Sequence, residues 1–129
     1  MSQRSLKTVP LYRKALDLCH TSREIASYVS YNKDLLHLYK SNSLRDIMAD
    51  SILTDAILLP IHIEKAERAS SVQVRMKSAH FINIITRNIL SYCNGLEHDG
   101  LKEKEYLNLL RNDILSFRKS YKNWRESLR

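Results

Sequence analysis

The chain has almost nowhere to turn sharply. Among its 129 residues there are two glycines, Gly95 and Gly100, and two prolines, Pro10 and Pro60. Glycine supplies the positive-φ turns and proline punctuates regular structure, so their scarcity leaves room for only a few long elements. Sheet folds need frequent turns; long helices do not. The expected fold class is all-α.

Apolar spacing divides the chain into four helices. The first is expected from near Thr8, with Pro10 tolerated in its first turn. Leu11, Ala15, Leu18, Ser22, Ile25 and Val29 line one face at alternating steps of four and three. The stretch 31–42 is ambiguous between helix and connection. Ser43, with Asp46 three residues on, resembles a capping box and opens a second helix carried by Leu44, Met48, Ile52, Ala56, Leu59, Ile63 and Ala66. Pro60 lacks an N–H and should bend that helix. Ser70-Ser71 caps a third helix through Val72, Met76, Ala79, Ile82, Ile85, Ile89 and Cys93, and Asn94-Gly95 reads as its stop. The fourth is expected from about Leu101 to the end. Its apolar residues Leu107, Leu110, Ile114, Phe117, Tyr121, Trp124 and Leu128 alternate steps of three and four, the spacing of a bundle seam. Short connections after the second and third helices predict an antiparallel up-down four-helix bundle, a single domain over residues 1–129.

Charge points to a class of partner. The net charge is +7 and the pI about 9.5. Residues 101–129 hold eight Lys/Arg against four acids, whereas 32–70 hold five against six. Such an imbalance favours polyanions. Lys104, Arg111, Arg118 and Arg125 recur every seven residues; with Leu107 at heptad position a they all fall at e, and Lys122 and Arg129 fall at the adjacent b. These six cations form a stripe ~35–40 Å long at the helical rise. A nucleic-acid backbone offers a matching line of phosphates, and each contact releases counterions. Lys104, Arg111, Arg118, Lys122, Arg125 and Arg129 are therefore the candidate contacts to RNA or DNA, with Arg13 and Lys14 as outlying candidates. The bland alternative is that cations at e merely solvate the rim of the seam. Tyr121 and Trp124 lie on the seam itself and are expected in the core rather than stacked on bases.

Enzymatic motifs are scarce. The sequence holds no GxSxG, P-loop, HExxH or paired Glu-x-x-His, and its five histidines lack metal-ligand spacing. No metal, cofactor or small-molecule substrate is expected. Arg75 and His80 make an R-x4-H arrangement that resembles the motif of HEPN-type ribonucleases, in which Arg and His hold the scissile phosphate and assist attack by the ribose 2′-hydroxyl. That spacing is met by any Arg and His five apart, so a ribonuclease stands as the alternative to a non-enzymatic binder. Cys19 and Cys93 lack CxxC spacing and read as buried free thiols in a reducing compartment. The N-terminus has no apolar h-region and no long apolar run occurs, so a cytoplasmic location without membrane contact is expected.

Two stretches extend this picture. LLPIHIEKAERASSVQVRMKSAHFINII (58–85) and GLKEKEYLNLLRNDILSFRKSYKNW (100–124) resemble the four-helix-bundle family of 23S rRNA intervening-sequence proteins, which includes the accessory variability determinants (Avd) of diversity-generating retroelements. Pro60 and Ile63 match the family's Pro and Ile of helix two, Leu101 and Tyr106 its Leu-x-x-x-x-Tyr start to helix four. Trp124 matches the Trp near the end of helix four in the Avd branch. The intervening-sequence branch commonly reads P-x-N-I-A-E-G where this chain has Pro60, Ile61, His62, Ile63, Glu64, Lys65 and Ala66, so the likeness is nearer to Avd; an intervening-sequence protein of unknown role is the alternative. The resemblance implies a basic, ring-like homopentamer that binds nucleic acid and, in the Avd branch, a reverse transcriptase. Five copies would together carry about +35, a strong field for RNA.

Overall fold

A computed structural model describes residues 5–30, 43–101 and 104–128. Among these residues the regular structure is entirely helical: a 3-10 turn at Leu6–Thr8, then α1 (Pro10–Val29), α2 (Leu44–Arg68), α3 (Val72–His98) and α4 (Lys104–Ser127). The ambiguous stretch 31–42 and the candidate contact Arg129 lie outside the described residues.

Local chemistry sets most of the boundaries. Pro10 is the first residue of α1, where its missing N–H has no helical partner to lose. Ser43 caps α2 by accepting from the Asp46 N–H at 3.5 Å, and Ser71 caps α3 by accepting from the Val74 N–H at 3.4 Å. Pro60 is buried inside α2, and the helix runs on past it to Arg68.

One boundary differs from expectation. Asn94-Gly95 does not stop α3, which continues to His98. The stop is Gly100, at φ 94°: its N–H donates to Glu97 O at 3.1 Å, and the Leu101 N–H reaches back to Leu96 O at 3.2 Å. That pair of bonds, with Leu96 and Leu101 both buried, is a Schellman closure. Gly95 serves packing instead. A Cβ there would lie 2.6 Å from Met48 Cε, so the missing side chain lets α2 bring Met48 against the α3 backbone.

Each helix packs against two neighbours, in the cyclic order α1, α2, α3, α4. Cross-links fix the directions. Thr21 of α1 donates to Asp113 of α4 and Lys14 to Ser116, so rising numbers in α1 meet falling numbers in α4. Arg111 meets Asn94, and Tyr121 meets Ala79, so α3 and α4 are antiparallel as well. The short links between α2 and α3 and between α3 and α4 complete the up-down four-helix bundle.

The expected faces form the core. All six face residues of α1 and all seven seam residues of α4 are buried, each large apolar side chain contributing ~1.5–3 kcal/mol to the folded state. Two residues miss: Leu44 and Val72 are each 53% exposed. Leu44, Met48, Ile52 and Ala56 follow one another by steps of four, and each such step rotates 40° beyond a full turn, so the line rolls off the core. Val72 is the first residue of its helix.

Candidate nucleic-acid interface

The basic row rides on α4, held by its buried ridge. Tyr121 is 7% exposed and donates its hydroxyl to Ala79 O at 2.6 Å; Trp124 is 6% exposed and donates its indole N–H to Glu67 Oε2 at 2.9 Å. Burial raises the Tyr121 phenol pKa, with Arg125 and Arg118 pulling the other way. Both aromatics are core residues with satisfied polar atoms, as their seam positions predict, and neither is available to a base.

The cations themselves divide into two groups. Arg111 is engaged within the bundle. Its Nη1 donates to Asn108 Oδ1 at 2.9 Å, its Nη2 to Asn94 Oδ1 at 2.8 Å, and Glu97 Oε2 lies 3.4 Å away. Its side chain is only 18% exposed, so Arg111 acts as a strut between α3 and α4 with its charge matched by a carboxylate. The same guanidinium partly offsets the burial that pushes the Cys93 thiol up to about 11.

Toward the C-terminal half of α4 the row is open. Arg118 is half-buried and donates to Asn83 Oδ1 at 3.4 Å, a neutral partner that leaves its charge uncompensated. Lys122 and Arg125 are exposed, and so is Lys119, which the seven-residue spacing passed over. Among the described residues none of these four has a carboxylate within ion-pair distance. Leu115, Ser116, Arg118, Lys119 and Lys122 line one shallow surface depression. Lys14 reaches its edge from α1, donating to Ser116 Oγ at 3.1 Å. Arg87, one helical turn beyond Asn83 on α3, is exposed on the side that Arg118 meets. Arg13 is exposed on α1, and Lys104 is exposed at the far end of α4, on the other side of the neutralised Arg111. Among the described residues the row is thus a compact cluster from Arg118 to Arg125, with Lys104 on the far side of the ion-paired Arg111.

Arg75 and His80 are not brought together. Arg75 donates from Nε to Ala69 O at 2.8 Å and from Nη1 to Leu128 O at 3.5 Å, closing the α2–α3 link against the end of α4. His80 is exposed, and five residues along a helix place it about 140° round from Arg75. Among the described residues no group of His, Cys, Asp and Glu is arranged to hold a metal ion, and no helix is long and apolar enough to cross a membrane.

No protein-family model, curated protein or solved structure matches the chain. The likeness to the intervening-sequence and Avd bundles accordingly rests on the residues quoted above.

Proposed function

We propose that the protein is a non-enzymatic scaffold that binds RNA through the phosphate backbone. The observation that carries this is the group Arg118, Lys119, Lys122 and Arg125: four cations on one helix, with Glu126 the one acid in that stretch and none of the four in an ion pair among the described residues. Phosphate contacts position a nucleic acid without reading its bases.

Two finer parts of the proposal lean on the family resemblance. One is service as an accessory to a reverse transcriptase in a diversity-generating retroelement. The other is assembly into a ring-like homo-oligomer, a pentamer in the related family. Self-association has support in the outer face of α2, where Leu44, Ile47, Leu58 and Ile61 are all exposed, with Phe81 and Ile84 of α3 exposed as well. A helix apolar on both sides is normally covered on both.

The test is an RNA filter-binding titration of wild type against Arg118→Glu/Lys122→Glu/Arg125→Glu, with circular dichroism to establish that helicity is unchanged. Loss of binding with intact helicity is expected. Equal affinity would remove the cluster as the site.

A further inference from the structure

We infer that the α4 cluster takes double-helical segments of RNA in preference to single strands. This rests on the phosphate-binding function proposed above and names its substrate class.

The decisive feature is what lies between the cations. Phe117, Tyr121 and Trp124 all occur within or beside the Arg118–Arg125 stretch, and all three are turned into the core. Among the described residues the exposed aromatics lie elsewhere and are already engaged. Tyr28 and Tyr106 pack against each other with tilted rings, centroids 4.4 Å apart, near the opposite end of α4. Phe81 stacks on His62 in the groove between α2 and α3, at 5.4 Å. The apolar residue that is exposed in the cluster, Leu115 at 55%, has no π-face.

A single strand gains most of its affinity from such faces, ~1–3 kcal/mol per stacked base, and needs that gain to offset the ordering of a flexible chain. With no aromatic face exposed among the described residues of the cluster, phosphate contacts carry the binding. A duplex presents its phosphates already arrayed and stiff, and double-stranded RNA is met mainly through shape and backbone. The cluster also has the right form. Its four cations span ~10 Å along one helix, and three of them line a shallow, open depression rather than a closed channel, which suits lying against a duplex rather than enclosing a strand.

The salt dependence follows from the count. Four phosphate contacts give a slope of log K against log salt of about −3.6 on a duplex and about −2.8 on a single strand. The experiment is fluorescence anisotropy of the full chain with a labelled RNA duplex and with an oligo-uridine strand of equal phosphate number, each titrated between ~0.05 and ~0.2 M salt. Expected is duplex binding about 10-fold tighter or more, given the missing stacking term. It should be lost in Arg118→Gln/Lys122→Gln/Arg125→Gln with the helical spectrum unchanged. Single-strand binding as tight as duplex binding overturns the preference while leaving the phosphate-binding function standing. Binding of neither overturns that function itself. Duplex binding that survives the triple substitution overturns the assignment of the preference to this cluster.

Discussion

Arg111 and Lys122 belong to one basic row in the sequence and to different parts of the molecule in three dimensions. Their substitution by glutamine should therefore dissociate stability from binding. Arg111→Gln removes the guanidinium that joins Asn94, Asn108 and Glu97. Hydrogen bonds to a charged group contribute ~1.5–3 kcal/mol when well buried. Glu97 is 37% exposed, so solvent screens the charged part, and the whole strut is worth ~1–2 kcal/mol. In a domain of this size that loss lowers Tm by about 3–10 °C. The slope of RNA affinity against salt should stay where it was. Lys122→Gln should do the reverse: Tm moves by no more than ~0.5 kcal/mol warrants, while the duplex slope becomes shallower by ~0.9. Thermal melts by circular dichroism and anisotropy titrations over salt measure both quantities on the same samples. An Arg111→Gln protein that melts like wild type but loses one phosphate's worth of slope would refute the division of the row.

Three further outcomes follow from single residues. Gly100→Ala places a Cβ at φ 94° where no atom lies within 4 Å, so its cost is purely conformational, ~1–2 kcal/mol, read as a lower urea midpoint at unchanged m-value. Burial raises the Asp55 pKa, against a smaller lowering by its hydrogen bond with Tyr92. Its favourable contribution is therefore complete below the unfolded carboxyl pKa and is lost as pH rises through the folded value. Asp55→Asn should stabilise the fold near pH 7 and make no difference near about pH 3, as urea melts at the two pH values will record. With its thiol pushed to about 11 and its side chain buried, Cys93 should resist iodoacetamide at about pH 8 while the half-exposed Cys19 reacts first, which peptide mass mapping checks.

Much of the bundle is legible because burial is periodic and periodicity is visible in sequence. The seam from Leu107 to Leu128 needs only helical geometry to be read, and every member is buried. The caps at Ser43 and Ser71 are legible for a similar reason: the donor and acceptor lie three residues apart. The end of α3 was not. Asn94-Gly95 and Asp99-Gly100 are equally good stops by composition, and what separates them is tertiary. Gly95 faces Met48, almost fifty residues earlier, while Gly100 is free to take positive φ. A glycine kept for close packing and a glycine kept for its backbone look alike until the neighbouring helix is in place.

The same distinction governs the basic row. Spacing by seven states which face of α4 a side chain leaves from, and says nothing of what it meets across the groove. Position e points toward the next helix, so Arg111 finds Glu97 and Asn94 while Arg118 finds Asn83. Position f points away from both neighbours, which is why Lys119, outside the strict row, is exposed beside its regular members. Regularity in such a row follows from the seam, which sets position e beside the adjoining helix, where Arg111 and Arg118 both find partners. A polyanion asks only for exposed charge that no carboxylate has matched. The cations best suited to it are therefore those whose facing residues on α3 are neutral, and the switch from Glu97 opposite Arg111 to Asn83 opposite Arg118 marks where the row passes from an ion-paired cation to ones with no carboxylate partner among the described residues.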